Sequence, residues 1–146
     1  MQSFDAQAEA RVWSRVHGST DAENDGGFLP GLILEEYQTA AMLQQLSRRF
    51  QGKERLTLQR LAREEGEHAA CLRGVCRLMT GNVPQYRPLP AQDSATEILL
   101  RKCYASKMRA LAAYESRCAG EYGPAFVRLV REEREHACRI LELLGK

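Results

Sequence analysis

Two stretches of this chain repeat each other: Leu61 to Cys71 reads LAREEGEHAAC, and Leu129 to Cys138 reads LVREEREHAC. Each copy holds a Glu and a His three residues apart, Glu65 with His68 and Glu133 with His136, and that spacing makes them neighbours on one face of an α-helix. The face they share decides the fold. In the first copy it runs Leu58, Leu61, Glu65, His68, Leu72, Val75, Met79; in the second it runs Phe126, Leu129, Glu133, His136, Ile140, Leu143. Both are apolar core stripes interrupted by a Glu/His pair. A chain built this way must bring carboxylates and imidazoles together inside a helical core, where unpaired charge costs several kcal/mol.

The remaining sequence supplies the helices for such a core. From Leu29 onward Ala, Leu, Glu, Arg and Gln dominate, and apolar residues recur at helical spacing, so the expected fold is all-α with no strand. Gly52, the Pro-containing segment with Pro84, Pro88 and Pro90, and the group Gly120, Gly123 and Pro124 divide it into four helices, near 29–51, 54–80, 94–119 and 124–144. Ser94 followed by Glu97 has the form of a capping box opening the third. Extended, the Pro-rich connection covers about 3.3 Å per residue against about 1.5 Å per residue in a helix, so it can run the length of the bundle as a long crossover between helices two and three. Phe4, Ala8, Val12 and Val16 predict a short N-terminal helix over 1–18, packed outside the bundle as a lid, with His17 near its end. With 146 residues the chain is the size of one domain, with the bundle over 29–144.

The other two helices differ in what they bring to the polar level. The first reads Leu32, Glu36, Thr39, Leu43, Leu46, Phe50, which makes Glu36, and not its neighbour Glu35, the inward carboxylate. The third reads Leu100, Tyr104, Lys107, Leu111, Tyr114, Cys118, with no carboxylate. Register through the turn near Glu121 puts Lys107 at the level of Glu133 and His136, while Glu115 falls about two turns away, roughly 10 Å. A bound cation is the natural compensation for Glu36, Glu65, His68, Glu133 and His136, and oxygen and imidazole donors without thiolate suit iron or manganese, with zinc as a third option.

These residues resemble the ferritin-like superfamily, especially its rubrerythrin-type members, in which helices one and three each give a Glu and helices two and four each give E-x-x-H. The resemblance covers roughly 29–144 and implies a ferritin-like four-helix bundle. Glu36 matches its helix-one ligand, and Glu65, His68, Glu133 and His136 match its two pairs. It further implies a di-iron or di-manganese oxidoreductase acting on peroxide, dioxygen or ferrous iron, with Tyr104 or Tyr114 as a candidate electron donor. Three departures stand against the pattern: Leu43 replaces a tyrosine common in rubrerythrins, the C-terminal rubredoxin module with its cysteine pairs is absent, and Lys107 holds the place of the helix-three Glu. Without that module, electrons would need a separate donor.

Lysine at that level changes the charge balance. With neutral histidines the three carboxylates hold three negative charges, one of which an ammonium offsets. The expectation is either a metal-free cluster in which Lys107 bridges glutamates or fewer ions than the family's two. Alternatively Lys107 carries its ammonium out to solvent, which leaves a five-ligand dinuclear site. The competing function is a bundle without metal chemistry, with a structural or partner-binding role.

Other classes find less support. No apolar run approaches the roughly 18 residues of a membrane helix, and the N-terminus lacks the basic start and apolar stretch of a secretory signal, so a cytoplasmic location is expected. Net charge of +2 with interspersed signs, including the exposed-face pair Arg48 and Arg49, gives no stripe for nucleic acid. Five cysteines, Cys71, Cys76, Cys103, Cys118 and Cys138, are odd in number with no C-x-x-C pair, and read as reduced thiols. A homodimer is expected from analogy with ferritin-like bundles alone.

Overall fold

The computed structural model describes residues 26–87 and 90–146. The expected N-terminal helix and His17 lie outside the described residues. Helices are the only regular elements among those described: α1 (Leu29–Ser47), α2 (Gly52–Thr80), α3 (Thr96–Glu115) and α4 (Gly123–Leu144). The first packs along the second and the third along the fourth, while α1 also faces α3 and α2 faces α4. The segment after α2 crosses the bundle to begin α3 beside the end of α1. There the Gln45 side-chain amide bonds both the carbonyl and the N–H of Gln92, and Arg49 Nη1 donates to the Ser94 carbonyl at 2.7 Å. At the same end, Lys146 after α4 pairs with Glu54 at the start of α2. Neighbouring helices are therefore antiparallel all round. None of them is long and apolar enough to cross a membrane.

The helix ends have local causes. Gly81 closes α2 at φ 78°, where its N–H bonds the Arg77 carbonyl, a left-handed cap that a side chain would strain. Pro124 sits in the first turn of α4, where its missing N–H costs no hydrogen bond. The capping box is a correction: α3 begins at Thr96 behind an extended Ala95, without a side-chain cap. Ser94 is held through its carbonyl by Arg49, and Glu97 pairs with Arg101 instead. The first and third helices also end earlier than expected, at Ser47 and Glu115, because i to i+3 bonds tighten their last turns, such as Arg49 N–H to Leu46 and Arg117 N–H to Tyr114.

The core is split in two along the bundle. One cluster gathers Leu29, Leu32, Ile33, Leu72, Val75, Met79, Ala110, Tyr114, Phe126 and Leu129. The other gathers Leu43, Leu46, Leu58, Leu61, Leu99, Leu100, Cys103, Ile140 and Leu143. Apart from Ser47 at the end of α1, the buried polar residues come from the heights between them: Glu36 and Thr39 of α1, Glu65 and His68 of α2, Ser106 and Lys107 of α3, Glu133 and His136 of α4. Two apolar layers thus seal one ionic layer from both ends.

Candidate metal centre

Each polar side chain owes its position to an apolar stripe. Because Leu61, Leu72, Leu129 and Ile140 are buried one turn away on the same faces, Glu65, His68, Glu133 and His136 are turned into the core and buried with them. On α1 the same logic buries Glu36, while Glu35 turns outward and takes two hydrogen bonds from Arg109.

Lys107 stands at the centre of this layer, 1 % exposed, which excludes the alternative of an ammonium carried to solvent. Its Nζ donates to Glu36 Oε2 at 3.2 Å, Glu65 Oε2 at 2.5 Å and Glu133 Oε1 at 3.2 Å, one carboxylate for each of its three protons. Glu133 Oε2 also lies 2.9 Å from Nζ but completes no hydrogen bond, so a buried acceptor keeps spare lone pairs. Burial alone would lower the Lys107 pKa; Glu36, Glu65 and Glu133 together push it above its ordinary value.

The imidazoles form a reciprocal pair, one from each repeat. His68 of α2 meets Glu133 at Nδ1, 2.8 Å, and Glu132 at Nε2, 2.6 Å, both from α4. His136 of α4 meets Glu65 at Nδ1, 2.8 Å, and Glu64 at Nε2, 2.9 Å, both from α2. The two rings stack with centroids 5.1 Å apart. A ring with a carboxylate on each nitrogen donates from both, so each imidazole is cationic, which corrects the expectation of neutral histidines. Burial opposes the charge on His68, but Glu133, Glu36 and Glu65 outweigh it and carry its pKa up to about 12. For His136 burial is likewise overcome, chiefly by Glu65, and the shift is upward. Counted as ionised, Glu36, Glu65 and Glu133 face three cations, Lys107 and the two imidazoliums.

The carboxylates are not equivalent. Burial pushes Glu36 well above the usual carboxylate range. Glu65 is just as buried but has the shorter contact to Lys107 and the bond to His136, which hold it well below that range. Tyr114, wholly buried, donates to Glu36 Oε1 at 2.5 Å, and burial followed by the Glu36 charge raises its phenol pKa far above the ordinary value. It is a fixed donor to that oxygen. Tyr104 lies elsewhere: half-buried, it packs against the Leu43 and Leu58 core, because the buried face of α3 runs through Cys103, Ser106, Lys107 and Ala110, turned from the stripe expected for it. Glu115 is exposed and pairs with Arg134. Thr39 and Ser106 bond each other through their hydroxyls at 2.9 Å, closing the α1/α3 side of the layer. No disulfide joins the five cysteines, and burial raises the Cys103 thiol pKa to about 12, which keeps it a neutral core group.

This donor set fits one metal ion. Ligand atoms of Glu65, His68, Glu133 and His136 all lie within 4.8 Å of one another, and all four residues are buried. Both imidazoles turn Nδ1 inward and are held at Nε2 by an outer carboxylate, the support that orients histidine ligands and fixes their tautomer. Glu64 and Glu132, which provide it, were not singled out from sequence, although the doubled Glu at the same place in both repeats carried the signal. The set does not fit a second ion, because the Lys107 ammonium already occupies the space shared by Glu36, Glu65 and Glu133. In comparisons with known proteins, the sequence matches no family model, no curated protein and no solved structure.

Proposed function

We propose that this chain is a ferritin-like, rubrerythrin-type metal protein that holds one divalent ion, iron or manganese, on Glu65, His68, Glu133 and His136, with Lys107 standing in for a second. The observation that carries this is the inward Nδ1 of both imidazoles, each backed at Nε2 by Glu132 or Glu64. Charge supports the count. A divalent ion that replaces the two imidazolium protons leaves the layer as neutral as before, whereas two such ions beside an ammonium would leave it with an excess of two positive charges.

We further propose an oxidoreductase that acts on peroxide, dioxygen or ferrous iron and draws electrons from a separate donor. A redox-active ion at this position would supply electron transfer to a small oxidant. The protein's own groups limit and orient the chemistry. Burial of every inner group restricts access to species of the size of peroxide or dioxygen, or to an ion. Tyr114 and Lys107 keep hydrogen-bond donors on Glu36, and Glu64 and Glu132 fix the imidazoles. The iron- or manganese-loaded protein should consume hydrogen peroxide in the presence of an artificial reductant, and a chelator should abolish that turnover. Equal rates in loaded and chelated protein would remove the redox assignment.

A second reading has its own observation. The Lys107 ammonium pairs with all three inner carboxylates without a metal, as a metal-free bundle with a structural or partner-binding role would require. Metal loading separates the two readings.

A further inference from the structure

On the solvent side of the α2/α4 seam, a second group of donors surrounds His136. Glu64 Oε2 accepts from its Nε2, Glu135 Oε2 stands 4.0 Å from that nitrogen, and the ligand atoms of Glu64, Glu135 and His136 lie within 4.8 Å of one another. Unlike the inner layer, this group meets water: the Glu64 and Glu135 side chains are 24 % and 43 % exposed. A cationic side chain sits on it. Arg60 Nη1 reaches both Glu64 oxygens at 3.0 and 3.2 Å, and Nη1 and Nη2 reach Glu135 at 3.3 and 2.8 Å, while its side chain is 37 % exposed on the solvent side of the group. Glu135 on α4 and Arg60 on α2 lock the seam from outside.

An ion bound for the inner layer has to pass between helices. The α1/α3 seam is closed at that height by the neutral Thr39–Ser106 hydroxyl pair, and the carboxylate beside it, Glu35, is held by two hydrogen bonds from Arg109 with no imidazole among the donors. The α2/α4 seam offers carboxylates and an imidazole nitrogen, the donors a hydrated divalent ion exchanges water for. His136 belongs to both donor groups, inner through Nδ1 and outer through Nε2. At the equivalent position of the second repeat, Arg128 pairs with Glu132 of its own helix and makes no such cross-helix bridge. We propose that Glu64, Glu135 and His136 Nε2 form the loading port for the divalent cation, and that Arg60 is its gate, displaced when the cation arrives. This inference rests on the one-ion reading above and adds the route by which the site is filled.

Stopped-flow mixing of the full chain with Co2+, followed by its visible absorption, tests the gate in wild type, Arg60→Gln, Glu135→Gln and Arg128→Gln, each checked for folding by circular dichroism. Removing the gating charge should speed uptake about tenfold, and removing the Glu135 charge should slow it by a similar factor. Both variants should end at one Co2+ per chain. Arg128→Gln should leave the rate near that of wild type. Uptake rates within about twofold of wild type in both Arg60→Gln and Glu135→Gln would overturn the port while the inner site stands, and equal acceleration in Arg128→Gln would reduce the effect to general surface charge. No Co2+ bound by any of the folded proteins would remove the inner site, and the port with it.

Discussion

Replacing Lys107 with Glu should double the metal content, from one ion per chain to two, and leave the chelated protein severely destabilised. Lys107 neutralises three buried carboxylates, each through its own N–H. Glutamate there removes the cation and adds a fourth carboxylate to a layer sealed by leucine above and below. Breaking a buried pair while its partner charge stays costs about 3–5 kcal/mol, and melting in chelator should fall by on the order of 10 °C. With metal the balance reverses, because four carboxylates and neutral imidazoles match two divalent ions. Melting with and without chelator, together with metal content, checks both halves. A variant that melts like wild type in chelator would show that Lys107 does not anchor the layer, and one that still binds a single ion would show that Lys107 is not what excludes the second metal.

The second large effect is a stability profile that differs in sign between the chelated and loaded protein. His68, with an ordinary value of 6.5, is raised to about 12 in the folded state. Its contribution is therefore complete below about pH 6.5 and is lost as the pH climbs toward 12. His136 and Lys107, also raised, act in the same direction. Glu65 is lowered from 4.5, so its contribution is present above that value and is lost as the pH falls through its folded pKa. Glu36, raised by burial, opposes folding once ionised and adds to the decline on the alkaline side. The chelated protein should be most stable between about pH 4.5 and 6.5 and lose several degrees of melting temperature by about pH 8.5. Metal binding that releases two imidazolium protons should instead tighten by up to about a hundredfold per pH unit over that range. The gap between loaded and chelated melting temperatures should then widen with pH. Chelated protein that melts higher at pH 8.5 than at 5.5 would contradict the assignment of charged, carboxylate-paired imidazoles.

Much of the inner layer was legible in the sequence, for a reason that concerns helices in general. A polar residue in a core stripe can be located by periodicity alone, and so Glu36 could be separated from Glu35, and Lys107 set at the level of His136. Where periodicity was weak the expectation failed. Small residues line the buried face of α3, Cys103, Ser106 and Ala110, and the stripe chosen for it carried Tyr104 out of the layer. The histidine charges were out of reach of periodicity for a different reason. They depend on Glu64 and Glu132, each of which crosses to a ring on the other helix, and a contact of that kind is set by how two helices meet. The cap at Ser94 failed likewise, because the bond to its carbonyl comes from Arg49, in the turn after α1 and 45 residues away in the chain.

In the proposed function the layer exchanges two protons for one metal ion and keeps its lysine. Metal content per chain tests it most directly, on tag-free protein loaded anaerobically with ferrous iron or with manganese and freed of excess metal. The account predicts one ion per chain, lost on substitution of Glu65 by Gln. A value that stays near zero would leave an ion-pair bundle held by Lys107, and a value near two would mean that Lys107 gives up its three carboxylates to a second ion; either result contradicts the account.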